Sequence, residues 1–161
     1  MVRYRSYLIM ALFILVVPLC LHANSIERFT DNTDGTITDH QLALMWAKTD
    51  NFGDIDWHQA DKWIRFTFPY SLPVFYENWR LPTLEELKSL YIKEKEYSGY
   101  EAECGQRLKI TPEIHLTCGF VWSSDRQAIT AQVFNFRRGI YYSDRMVHNR
   151  GYRALAVRNL K

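Results

Sequence analysis

Nine residues, Trp79-Arg80-Leu81-Pro82-Thr83-Leu84-Glu85-Glu86-Leu87, constrain this chain more than any other stretch. The Thr83 hydroxyl is placed to accept from the backbone N–H of Glu86, and the Glu86 carboxylate to accept from the N–H of Thr83. Two otherwise unpaired helix-end donors are thereby satisfied in a capping box. Pro82 biases Leu81 to an extended conformation, so the chain is expected to arrive straight, turn a corner and start a helix. That helix is predicted from about Leu84 to Glu94, with Leu84, Leu87, Leu90 and Tyr91 on its apolar face. Asp56 is placed to cap an earlier helix running to about Phe66, where Trp57, Ala60, Trp63 and Ile64 recur at helical spacing. Pro69 and Pro73 are expected to exclude regular structure from there to Trp79.

On either side of the helices the pattern is that of strands. From Ile26 to Lys48 the apolar positions are Phe29, Ile37, Leu42, Leu44 and Trp46, and Asp34-Gly35 is a hairpin-type turn. The same stretch alternates oxygen ligands at Asp31, Asn32, Asp34, Thr36 and Asp39. A calcium loop would then begin at Thr30 and end at Gln41, neither of them a carboxylate, so the turn is the better reading. Strands recur at Phe120 to Trp122, Val133 to Phe136, Ile140 to Tyr142 and Tyr152 to Val157, punctuated by Gly139 and Gly151. Strands, two helices, a loop and more strands imply an α+β domain around an antiparallel sheet.

Residues 1–23 read as a signal peptide. Arg3 and Arg5 lead into an apolar run from Leu8 to Val17 and then Pro18, shorter than the roughly 20 residues of a membrane-spanning helix. Cleavage after Ala23 is the main expectation, with lipidation of Cys20 or a retained anchor as alternatives. Residues 24–161 are expected to form one domain: the 47% apolar and 15% aromatic composition of the full chain argues against disorder, and no repeat or low-complexity linker interrupts it. Cys104 and Cys118 remain as an even pair, expected to join as a disulfide in the oxidising periplasmic or extracellular space. The alternative is a redox or metal pair, for which His115 is the only nearby histidine. The bridge would staple the long loop from 95 to 119, which holds Gly99, Gly105 and Pro112.

WRLPTLEEL, together with RFTDNTDGTITDHQLALMWAK at Arg28 to Lys48 and FVWSS at Phe120 to Ser124, resembles the Lcl C-terminal domain family of bacterial envelope and secreted proteins. The resemblance implies a C-type lectin-like fold, in which the first and last strands pair and two helices flank the sheet. The collagen-like adhesin that names the family is associated with sulfated glycosaminoglycan binding, so the resemblance also points to an anionic glycan. No collagen-like Gly-X-Y stalk precedes the domain here, and the avidity of such a stalk is not implied. The calcium-binding sequences of C-type lectins, Glu-Pro-Asn or Gln-Pro-Asp and Trp-Asn-Asp, are not present. Formylglycine-generating enzymes share the lectin-like fold and use paired cysteines; Cys104 and Cys118 sit in no matching motif, which leaves that activity as a remote alternative.

The residues themselves offer little catalytic chemistry. There is no phosphate loop, dinucleotide glycine pattern or serine nucleophile elbow. His22, His40, His58, His115 and His148 are scattered singly, and Ser123-Ser124 reads as a turn or cap device. No cofactor, metal or nucleic-acid partner is expected. The functional signal is a separation of charge. Residues 120–161 carry eight basic residues against Asp125 and Asp144, a net +6, while residues 24–119 stand at −6. Seven of the eight are arginines, whose planar forks suit sulfate, phosphate and carboxylate. A binding face of Arg137, Arg138, Arg145, Arg150 and Arg153, with Tyr141 and Tyr142 as platforms, is the expected site of an exported binding module for anionic glycans or envelope polymers. The competing expectations are that the arginines pair with Glu85, Glu86, Glu94, Glu96, Glu101 and Glu103, or that the chain is an envelope structural or assembly protein meeting another protein.

Overall fold

The computed structural model describes residues 27–160. The expected signal peptide, with Cys20 and His22, lies outside the described residues. The chain runs β1 (Phe29–Asp31), β2 (Thr36–Asp39), β3 (Leu44–Ala47), α1 (Trp57–Phe66), α2 (Phe68–Ser71), α3 (Leu84–Ser89), β4 (Tyr100–Glu101) and β5 (Arg107–Leu108). It continues through β6 (Phe120–Gln127), β7 (Thr130–Asn135), β8 (Ile140–Arg145), β9 (Tyr152–Arg153) and β10 (Val157–Asn159). The class is α+β, mostly sheet with three short helices.

Two four-stranded sheets, ordered β1-β2-β3-β10 and β8-β7-β6-β9, replace the expected antiparallel sheet, and a β4-β5 ribbon stands apart. The first and last strands share a sheet without pairing: β10 adds antiparallel to β3, with Val157 opposite Trp46, and β1 pairs with β2. The run expected as one strand from Tyr152 to Val157 divides because its two ends join different sheets. Tyr152 lies beside Phe120 in a parallel pairing, and Val157 lies beside β3. Ala154, Leu155 and Ala156, all fully buried, carry the chain between them.

Each helix start follows local chemistry. Asp56 caps α1 by accepting from the Gln59 N–H at 2.8 Å. The capping box of α3 is formed: Glu86 Oε2 accepts from the Thr83 N–H at 2.7 Å and Thr83 Oγ1 from the Glu86 N–H at 3.2 Å. Before it, Arg80 exchanges backbone hydrogen bonds with Val157 at 2.9 and 3.0 Å, so the straight approach is a bridge onto the first sheet. α3 ends at Ser89 and not near Glu94. The next residues pair with another strand-like segment: Ile92 donates to the Lys109 carbonyl at 3.0 Å and Thr111 to that of Leu90 at 3.0 Å. α2 occupies part of the stretch expected to be irregular, because Pro69 falls in its first turn, where a missing N–H costs nothing.

The core gathers Trp46, Leu81, Leu87, Trp122, Phe134 and Phe136, each at most 1% exposed. Burial of each such side chain stabilises the fold by about 1.5–3 kcal/mol. The Trp122 indole donates to the Ile55 carbonyl at 3.0 Å, and the Trp57 indole to that of Ser123 at 2.8 Å. Cys104 and Cys118 are joined with their Cα atoms 5.4 Å apart, stapling the loop that carries the ribbon. Among the described residues no helix is long and apolar enough to cross a membrane.

Candidate functional site

The turn between β7 and β8 is built to hold a fixed shape. Asn135 accepts from the Arg137 N–H through its side chain at 2.9 Å and from the Gly139 N–H through its carbonyl at 2.8 Å. Gly139 has φ +67°, and a Cβ there would stand 2.4 Å from the Tyr91 ring, so only glycine lets the hairpin tip lie on that tyrosine. Tyr91 in turn meets Phe134 edge to face, with ring centroids 5.9 Å apart.

A cleft of about 440 Å³ opens where this hairpin meets the end of α3, lined by Lys88, Tyr91, Lys93, Phe134, Gly139, Ile140 and Tyr141. Its floor is aromatic. Lys88 Nζ sits 4.4 Å from the centroid of the Tyr141 ring, a cation–π contact. The same ammonium donates to Glu85 at 2.6 Å, and this bond holds its pKa above the usual lysine range. Lys88 is therefore charged at neutral pH and retains two further donors. Among the described residues no carboxylate lines the cleft itself, and Glu85 holds the Lys88 ammonium from its margin.

The structure divides the seven residues expected to form one binding face. Arg137 and Arg138 are exposed at the hairpin tip beside the cleft. Arg145 is exposed at the other end of β8 and Arg150 beyond it, and the six residues of the strand put about 17 Å between Ile140 and Arg145. None of these four forms an ion pair among the described residues. Tyr141 and Tyr142 point to opposite faces of the strand, and only Tyr141 reaches the cleft. Tyr142 instead donates to the Tyr152 hydroxyl at 3.4 Å, and Tyr152 donates to Asp144. Burial, followed by the hydrogen bond to Asp144, pushes the Tyr152 phenol far above its ordinary pKa.

Arg153 is the correction to that set. It is 8% exposed, donates to Thr117 Oγ1 at 2.6 Å and to Asp54 at 2.8 Å, and lies 3.7 Å from Asp50. Its charge is used inside the molecule. The glutamates expected as arginine partners are engaged elsewhere: Glu85 with Lys88, Glu86 with Arg80, and Glu103 with His115. Sequence reasoning missed Lys88, Lys93 and Tyr91 as site residues. The available signal was Lys88 flanking the apolar stripe of the α3 sequence, but the hairpin it faces lies fifty residues on.

Other recesses carry less chemistry. The recess of about 520 Å³ lined by Leu42, Ala43, Leu44, Arg80, Glu86 and Asn159 has its two charges joined to each other, Arg80 to Glu86 at 2.7 Å. Asp34 accepts from Thr36 and from the Tyr76 hydroxyl at 2.7 Å, Asp31 pairs with Lys48, and Asp39 with Arg28. These are turn and ion-pair roles. Ser123 is fully buried and accepts from the Asp125 N–H, while Asp125 accepts from the Leu84 N–H, so the serine block docks the start of α3. His40, His58, His115 and His148 are exposed, and both cysteine sulfurs are committed to the disulfide.

A search of curated proteins returns no match to this chain. Residues 35–158, which hold the helix caps, the second sheet, the cleft and all of the first sheet except β1 and the last residue of β10, match the family model described as the Lcl C-terminal domain, and the chain belongs to that family.

Proposed function

We propose that this protein is an exported, non-catalytic binding module that takes an anionic glycan, or a comparably anionic envelope polymer, in the cleft between α3 and the β7–β8 hairpin. The observation that carries this reading is a cleft that brings Lys88 and Lys93 to Tyr141, with the Lys88 ammonium 4.4 Å from the ring centroid and only one of its donors held by Glu85. A tyrosine face receives the apolar side of a sugar ring, and fixed cations receive its sulfate or carboxylate. Arg137 and Arg138 at the adjacent tip extend the positive field beyond a single ring. Export is supported by the basic-then-apolar leader and by the bonded cysteine pair. A C-type lectin-like architecture is supported by the shared sheet of the terminal strands and by the long stapled loop.

Retention on a heparin column tests the glycan reading. The protein is expected to bind at about 50 mM salt and to elute as salt screens the contact. Lys88→Ala with Lys93→Ala, and separately Arg137→Ala with Arg138→Ala, are expected to lower the eluting salt concentration. Arg145→Ala with Arg150→Ala, at the far end of β8, is expected to lower it less. Passage of the parent protein through the column at that salt rejects the proposal.

A protein partner is favoured by a second observation. Phe66, Tyr70, Val74 and Phe75 are 66, 76, 46 and 55% exposed on α2 and its flanks, and the Tyr70 and Phe75 rings lie 5.4 Å apart. An exposed aromatic patch of this kind marks a contact surface, in keeping with an envelope assembly role. Tyr70→Ser with Phe75→Ser would then abolish capture of the partner and leave heparin retention unchanged.

A further inference from the structure

We infer that β8 is an open docking edge that accepts an extended acidic polypeptide as a fifth strand of the second sheet, pairing antiparallel with Tyr141 and Ser143. Among the described residues β8 ends its sheet and pairs only with β7. The direction of its backbone groups follows from the register. The Met146 N–H bonds to the Ile129 carbonyl at 3.0 Å, one step beyond the pair Thr130 and Arg145. In an antiparallel ladder this turns the N–H and C=O of Ile140, Tyr142 and Asp144 toward β7, and those of Tyr141, Ser143 and Arg145 outward. The outward Arg145 N–H is already taken by Asp144 Oδ1 at 2.7 Å, which caps the edge at that end. Tyr141 and Ser143 keep outward donors and acceptors that no described residue meets, at the spacing a neighbouring strand requires.

The side chains beside this edge name the occupant. Tyr141, Ser143 and Arg145 share the face toward α3, where Lys88 stands over Tyr141. Ile140 and Tyr142, 48 and 36% exposed, lie on the other face together with Asp144. An added strand directly opposite Tyr141 and Ser143 therefore meets Arg145, unpaired among the described residues, and the Lys88 ammonium, one of whose donors Glu85 holds, on its α3 side, and apolar surface plus a carboxylate on the other. Acids are favoured on the first side and disfavoured on the second. The fitting partner is a segment of alternating acidic and apolar residues, whose main chain supplies affinity and whose acids supply register. This goes beyond glycan binding, because it uses the strand edge and not the floor of the cleft.

The test uses the acetylated hexapeptide Val-Glu-Val-Glu-Val-Glu on the isotopically labelled protein. Slowed amide exchange, at least tenfold, is expected at Tyr141 and Ser143. In the antiparallel pairing the glutamate N–H groups face β8, so N-methylation at glutamates is expected to abolish binding and N-methylation at valines to leave it intact. The lysine–valine analogue is expected not to bind. Ser143→Pro removes an outward N–H without touching the β7 ladder, and is expected to cut peptide affinity at least tenfold while leaving heparin retention unchanged. Lack of protection at both amides, equal tolerance of the two N-methyl series, or a Ser143→Pro variant that folds and binds the peptide as the parent does, overturns the inference. Loss of heparin retention with Lys88→Ala and Lys93→Ala reports on the glycan reading alone.

Discussion

Arg153 carries its charge into the interior because Asp50 waits there. Asp50 is 1% exposed and accepts from the Thr117 N–H at 2.7 Å and the Phe52 N–H at 2.8 Å, yet burial still raises its pKa above the ordinary aspartate value. The nearby guanidinium opposes that rise and bonds Thr117, a shared partner. Truncating one member of such an arrangement leaves a buried charge without compensation, so Arg153→Ala is expected to destabilise by about 3–5 kcal/mol in urea denaturation. Arg137→Ala with Arg138→Ala is expected to shift stability by no more than about 0.5 kcal/mol per site, as exposed side chains do. The sign with pH follows from the direction of the Asp50 shift. A raised folded pKa contributes stability that is present below the unfolded value and lost as pH rises through the folded one. Removing Arg153 raises the Asp50 pKa further, so that loss extends to higher pH in the variant than in the parent. A urea midpoint that changes with pH identically in both proteins would refute this account.

At the scale of elements, the start of α3 joins local capping to a long-range ion pair. Burial works to raise the Glu86 pKa, but hydrogen bonds from Arg80 at 2.7 and 2.8 Å and from the Thr83 N–H prevail and lower it. The group therefore contributes stability present above its ordinary value of 4.5 and lost as pH falls through the depressed one. Glu86→Gln is expected to flatten the acid side of the stability profile below that value, and Thr83→Ala to cost about 1 kcal/mol at neutral pH. A thermal midpoint series from pH 7 down to pH 3 separates the two effects. This element was legible in the sequence because the box spans four residues, as were the Asp56 cap, the Asp34-Gly35 turn and the cysteine pair. The early end of α3 was not, since it is set by Lys109 and Thr111, about twenty residues on. The candidate site divides in the same way: the exposed tip arginines and Tyr141 follow from composition and position, whereas Lys88 and Lys93 join them only through the packing of Gly139 on Tyr91. Arg153 had the same sequence signature as its exposed neighbours, and its carboxylate partners lie about a hundred positions away.

Across the whole molecule, one segment ties the halves together. Tyr152 to Asn159 supplies an edge to each four-stranded sheet, and its middle residue Leu155 is fully buried. The Ala47 N–H donates to the Ala156 carbonyl at 2.8 Å, and the Asn51 side chain accepts from the Ala154 N–H at 2.8 Å, so this bridge is bonded along its length. Loss of either sheet's edge here would uncover the fully buried residues Ala154 to Val157 that both sheets share, which makes independent melting unfavourable. Leu155→Ala removes buried methyl groups at the junction and is expected to destabilise by about 2–5 kcal/mol. Because the junction is shared, amide-exchange protection should fall by the same free energy at Met45 in the first sheet and Val133 in the second. Were protection to drop in one sheet and persist in the other, the sheets would be separate cooperative units, and the cleft on the second would stand without support from the first.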